Sequence, residues 1–222
     1  MRKKKKRGKK ILFAFFILIL FGLLTYHILY KLCIIPHDYY YDSDFGIKTY
    51  TSKIDKDKDG LDDQTDILHN AFKYIKTNPK YKSKYYDGGY PQDEYGVCTD
   101  VIAIALRESG YDLMELVDED IRNNRELYNI DVVDKNIDFR RVKNLEIYFK
   151  RHAISLTTDL KDYKEFQGGD ILIFEGHIGM VSNKRNKNGT PFLIHNGSPF
   201  QIGYEQDILE DYMPIKAHYR IS

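Results

Sequence analysis

The strongest pattern along the chain is an unbroken apolar run. Residues 11–30 read ILFAFFILILFGLLTYHILY, with no formal charge and only Gly22, Thr25 and His27 interrupting. A helix of that length spans about 30 Å, the thickness of a bilayer core. The run has no polar face, which argues against a buried core helix. It is also longer than the apolar stretch of a signal peptide, and its end runs on as Tyr30-Lys31-Leu32-Cys33-Ile34 where a small-residue cleavage site would stand. An uncleaved anchor is expected, with a cleaved signal as the competing reading.

Beyond the run the periodicity changes twice. Ile67, Leu68, Ala71, Phe72 and Ile75 recur at helical spacing within residues 64–77, and Asn78-Pro79 closes that helix. Residues 98–109 (CTDVIAIALRES) predict a second helix ended by Gly110. Residues 112–123 and 142–152 predict two more, the last with Leu145, Tyr148 and Phe149 on one face. The character then turns to short β-rich runs, ILIFE (171–175), IGMVSN (178–183) and PFLIHN (191–196), with a hairpin signal at Lys187-Asn188-Gly189 and a final candidate strand at 218–221. Helices first and strands afterwards predict an α+β fold, with helices packed on an antiparallel sheet.

Charge sharpens this organisation. The chain has 222 residues and a net charge of +1, with 34 Lys+Arg against 33 Asp+Glu. Eight of the basic residues lie in the first ten, MRKKKKRGKK, so the rest of the chain is acidic at −7. Positive charge on one side of a span places that side in the cytoplasm. The expected order is a basic cytoplasmic stub (1–10), a transmembrane signal anchor (11–30), a tyrosine-rich juxtamembrane linker (31–54) and an extracytoplasmic domain (55–222). The protein is thus expected in the cell membrane, single-pass. A nucleic-acid partner is not expected, because a span begins directly after the KKKKR run. Two Cys exclude a disulfide scaffold. Cys33, just past the span, reads as a structural or interfacial thiol.

Residues 55–66, DKDKDGLDDQTD, have the periodicity of a calcium loop. Asp55, Asp57 and Asp59 take positions 1, 3 and 5, and Gly60 sits at 6 where a sharp turn is needed. Leu61 at 7 would offer its carbonyl, Asp63 stands at 9 and Asp66 at 12. A structural Ca²⁺ is the expected ligand. The competing reading is a solvated acidic turn capping the helix that follows.

Cys98 opens a helix directly after a loop. A thiol there feels the positive end of the helix dipole, which favours the thiolate. His177 and His195 fall on neighbouring predicted strands, whose pairing would set two imidazoles side by side. A buried Cys is also commonly no more than a small apolar residue, so residue types alone leave catalysis open.

The ordered set G-V-C-T-D-V (96–101), G-G-D-I-L-I-F (168–174), H-I-G-M-V (177–181) and F-L-I-H-N-G (192–197) resembles the NlpC/p60 superfamily of papain-like cell-wall peptidases. With N-I-D-F-R-R-V-x-N-L (136–145) and the terminal H-Y-R (218–220), it looks like the branch known as domain-of-unknown-function family 1287. The resemblance implies a papain-like α+β fold with Cys98 as nucleophile, His177 as general base and His195 as the orienting third residue. It also implies a substrate-binding role for Tyr86, in Y-D-G-G. V-C-T-D departs from the superfamily's usual D-C-S-G. Arg140 and Arg141 could serve a substrate carboxylate or pair with Asp138 or the acidic stretch at 118–120.

The expectation is therefore a membrane-anchored extracytoplasmic cysteine hydrolase. It would cleave an amide bond, with peptidoglycan peptides as the implied substrate, and need no cofactor for catalysis. The alternatives are a non-catalytic, calcium-stabilised cell-wall binding module, and an acyltransferase or amidase on another substrate.

Overall fold

The computed structural model describes residues 2–222, with side chains from Lys9 onward. It divides into two units, residues 1–37 and 38–222.

The first unit is built on one helix, α1 (Arg2–Lys31). Its segment Lys9–Lys31 is long and apolar enough to cross a membrane, and none of it is buried within the protein. Cys33 ends the helix in a left-handed conformation, φ 53°. The Cys33 and Ile34 N–H groups close onto the carbonyls of Tyr30 and Leu29 at 2.9 and 3.0 Å, satisfying the helix end. The His37 ring stacks on Tyr30 with centroids 3.8 Å apart.

The second unit opens with strand β1 (Tyr40–Tyr41) and then helix α2 (Asp63–Ile75). Two short strands follow, β2 (Lys80–Tyr81) and β3 (Tyr95–Gly96), then α3 (Cys98–Glu108) and α4 (Leu113–Asn123). The single turns α5 (Arg125–Tyr128) and α6 (Lys135–Asp138) lead to α7 (Val142–His152). The remaining strands are β4 (Ile154–Ser155), β5 (Ile171–Phe174), β6 (His177–Arg185), β7 (Pro191–Ile194), β8 (Glu205–Gln206) and β9 (Ala217–Arg220). Among the described residues, seven strands form one sheet in the path β4-β9-β5-β6-β7-β8, with β1 added to β6. All its pairings are antiparallel.

Successive residues of a strand point to opposite sides of the sheet, which sorts its two faces. Ile171, Ile173, Ile178, Met180 and Ile194 pack with Ile67, Val101, Ile102, Leu106, Leu145 and Phe149 of the helices. Leu172, Phe174, Val181 and Leu193 point the other way and meet Phe166 and Leu209. The helices start where their caps dictate. Asp62 accepts from Thr65 N–H at 3.3 Å and Asp112 from Met114 N–H at 3.0 Å.

The expected linker at 31–54 needs correction. Within it Tyr40–Tyr41 form a strand of the sheet, with Tyr40 opposite Arg185 and Tyr41 opposite Lys184. Asp42 accepts from Arg185 Nε at 2.5 Å, and both side chains are buried. Arg185 also donates to the carbonyls of Tyr163, Gly189 and Phe166 at 2.9, 2.8 and 2.6 Å. The segment stays mostly exposed, and its place rests on pairing with β6 and on Asp42 reaching an arginine 143 residues away in sequence.

Candidate active site

Cys98 is the first residue of α3, and three polar contacts fix that helix start. Asp100 accepts from Val97 N–H at 2.8 Å, capping the helix from its third position. Arg140 holds Asp100 with two bonds, Nε to Oδ1 at 2.7 Å and Nη2 to Oδ2 at 2.9 Å. Asn196, just past β7, donates to the carbonyls of Pro79 and Gly96 at 2.9 and 3.1 Å, tying the loop before Cys98 to the sheet. Gly96 is required there, since a Cβ would stand 2.2 Å from the Tyr74 hydroxyl oxygen.

The two motif arginines therefore separate. Arg140 is spent on Asp100, and Arg141 lies 3.6 Å from Asp138. Each has a structural partner, as the ion-pair reading anticipated, although Arg140's partner is the residue two places after the cysteine.

Across from α3, β5 turns into β6 through Gly176, at φ 68°. The turn sets His177 opposite Phe174. His177 Nε2 lies 2.9 Å from His195 Nδ1, and His195 Nε2 lies 2.9 Å from Gln206 Oε1. The three residues come from β6, the end of β7 and β8. Gly197 leaves room for both rings, because a Cβ would sit 3.1 Å from His177 Cε1 and 3.1 Å from His195 Nδ1.

The relay has one consistent proton arrangement when both rings are neutral. Gln206 Oε1 accepts, so His195 Nε2–H donates and His195 Nδ1 is the acceptor. His177 Nε2–H then donates, which leaves the lone pair on His177 Nδ1. Neutrality is favoured. Burial, with a smaller contribution from His195, holds His177 down to about 3. Burial also holds His195 down to about 4, with Gln206 opposing.

The Cys98 thiol meets the backbone N–H of Ile178, the residue next to His177. Burial pushes the thiol above its ordinary value. The N–H groups of Ile178 and Thr99 oppose that push, and the Asp100 charge adds to it. The thiolate expected from the helix terminus is thus outweighed by burial, so the resting thiol is neutral, as are the two imidazoles. In a Cys33→Ser background, iodoacetamide is expected to alkylate Cys98 about tenfold faster per pH unit between pH 6 and 8. A rate independent of pH over that range would mean a resting thiolate.

Two residues of the cluster carry no sequence signal. Gln206 lies in a two-residue strand too short to display alternation. The Tyr212 ring stands 5.9 Å from the centroids of both His177 and His195 and 5.2 Å from Phe174. Its hydroxyl is pushed up by burial and, to a lesser degree, by Cys98, which places it on the same cluster.

Tyr86 does not join the relay. Its hydroxyl donates to Asp93 at 2.7 Å, and its ring lies 5.1 Å from the Arg140 guanidinium. It therefore stacks on the arginine that holds Asp100.

The remaining motifs meet at Asp170. Its carboxylate accepts from Arg220 Nε and Nη2 at 2.7 Å each and contacts His218 Nε2 at 3.0 Å. Gln64 Nε2 and Gln167 N–H complete the set at 3.0 and 2.8 Å. G-G-D and H-Y-R thus form one buried unit, away from the cysteine's own contacts.

Residues 68–221 match the family described as "Domain of unknown function (DUF1287)". The chain belongs to the DUF1287 family. A relative, "Uncharacterized protein YijF" of Escherichia coli (strain K12), is 39% identical over 153 residues, which cover 64% of this chain and 72% of that protein. No solved structure matches the chain. The DUF1287 match takes in Cys98, His177, His195, Gln206, Tyr212 and the Asp170 unit, and leaves out α1 and the Asp-rich loop.

Proposed function

We propose that this DUF1287 protein is a membrane-anchored, extracytoplasmic cysteine hydrolase of the NlpC/p60 type, acting on an amide bond in peptidoglycan peptides. The observation that carries the reading is the relay His177–His195–Gln206, with Cys98 at a helix start facing the strand residue that follows His177. In the proposed reaction, Cys98 Sγ attacks the carbonyl carbon while its proton passes to His177 Nδ1. The C–N bond then breaks and the amine leaves with that proton. Water, deprotonated by the same nitrogen, releases the acid and restores the thiol. The Cys98 backbone N–H is the proposed oxyanion donor.

The basic stub supports a cytoplasmic N-terminus, which would leave the catalytic domain outside, close to a fixed polymeric substrate. A non-catalytic binding module is the second reading, favoured by the burial that raises the thiol. Full-length protein in detergent, incubated with muropeptides, is expected to generate new amino termini. If none form and the muropeptides are recovered unchanged, the hydrolase reading fails.

A further inference from the structure

Of the residues expected around a calcium ion, Asp55, Asp57 and Asp59 are exposed, with ligand oxygens within 4.8 Å of one another. Asp63 accepts from Lys56 N–H at 2.8 Å and from the Tyr111 hydroxyl, and Asp66 accepts from Asn70 at 3.0 Å. Exposed carboxylates of this kind also make an ordinary acidic turn before a helix. A more definite surface lies at the relay end of the sheet.

The uncharged segment 197–203, GSPFQIG, runs between His195 and Gln206, two members of the relay. Gln201 organises it from within. Its Oε1 accepts from Gly197 N–H at 2.7 Å, and its Nε2 donates to the carbonyls of His195 and Gly203 at 2.8 and 2.7 Å. Gln201 N–H also closes a turn onto the Ser198 carbonyl at 3.2 Å, with Pro199 at the second position. Both flanks are tied down, since Asn196 Nδ2 and the Tyr204 hydroxyl donate to the Pro79 carbonyl at 2.9 and 3.1 Å. Yet Phe200 is 91% exposed and Ile202 62%. Folding gains little from an exposed Phe, whereas a backbone fixed in advance lowers the cost of using it in binding.

The rest of the fold decides what reaches that tip. The loop lies against the relay, because a Cβ on Gly197 would stand 3.1 Å from both His177 Cε1 and His195 Nδ1. The entry strand β1 is remote from it. Tyr40 pairs with Arg185 at the far end of β6, about 25 Å along the strand from His177. We propose that the loop 197–203 is the peptide-contacting arm of the relay site. Phe200 and Ile202 pack on apolar side chains of the bound peptide, and Gln201 is the positioning residue that fixes them beside His195. The identity of that peptide rests on the hydrolase reading.

The chain contains no Trp, so Phe200→Trp places a single reporter at the tip. In full-length protein in detergent, muropeptides are expected to shift the indole emission to the blue, saturably. Adding Gln201→Ala to that chain should raise the muropeptide Kd about tenfold, because the arm must then be ordered on binding. A purely structural Gln201 would lower Tm and leave Kd alone. Phe200→Ala should raise KM about tenfold with kcat and Tm unchanged, since an exposed contact away from the reacting atoms holds ground and transition states alike. An unchanged KM overturns the proposal. Cleavage by the parent with no emission change in Phe200→Trp overturns the arm and leaves the hydrolase reading standing. A saturable shift without cleavage upholds the arm and removes the hydrolase reading. Neither shift nor cleavage overturns both. An emission already blue before peptide is added means that a second copy or detergent covers the tip, and overturns the arm as well.

Discussion

Replacing Cys98 with alanine is expected to abolish release of amino termini from muropeptides, with no loss of thermal stability. In the proposed reaction the Cys98 thiol forms the acyl bond, so its removal leaves that reaction without its nucleophile. His177→Ala should lower kcat/KM by about 10³-fold or more, because base and leaving-group acid disappear together. His195→Ala should cost about 10- to 100-fold, since its ring bonds His177 Nε2 and its role in the proposed reaction is to orient that base. Gln206→Ala should cost less, and Gln206→Glu should restore the acceptor for His195 Nε2.

The pH profile separates orientation from packing. His177 is held down to about 3 and His195 to about 4, so the base form survives well below the ordinary imidazole range. Activity should persist down to pH 5, where an unperturbed imidazole would already be mostly protonated. Gln206→Glu places a carboxylate beside His195 and should move the acid limb upward. An unchanged limb in that variant would count against the relay, and full activity in His177→Ala would remove it.

The largest stability loss is expected at Asp170. Asp170→Ala would strand the Arg220 guanidinium and His218 in a buried site, together with Gln64 Nε2 and the Gln167 N–H. Removing one partner from a buried pair costs about 3–5 kcal/mol, most of it from the charge left behind. At about 2–4 °C per kcal/mol for a domain of this size, Tm should fall by about 6–20 °C. Replacing Asp170 and Arg220 together by apolar residues should cost less than the two single losses combined. A change under about 1 kcal/mol for Asp170→Ala, read from denaturant unfolding, would show that the unit is dispensable.

Much of this architecture is legible in the chain itself. Helices α2, α3, α4 and α7 follow apolar spacing and their capping residues, and β5, β6, β7 and β9 follow β-rich runs between turns. Those patterns are local: the helices bury one face at helical spacing, and β5, β6 and β7 bury both faces as short apolar runs. Cys98, His177 and His195 stand out because chemistry and position coincide at the ends of such elements. The strands β1, β2, β3, β4 and β8 are two residues each and exist only because a neighbour supplies their hydrogen bonds. Gln206 was hidden for that reason, and Tyr212 because a loop aromatic has no period to betray it.

By itself the sequence determined the apolar helix, the order of helices and strands, and the spacing of the loop carboxylates, since all three depend on residues near one another in the chain. Only the tertiary structure decided how charges and rings were paired. It gave Arg140 to Asp100, Arg185 to Asp42 and Arg220 to Asp170, set Asp63 against the Lys56 N–H and the Tyr111 hydroxyl, and let burial outweigh the helix dipole at Cys98. These outcomes depend on desolvation and on partners far apart in sequence, and both quantities come into being only when the chain has folded.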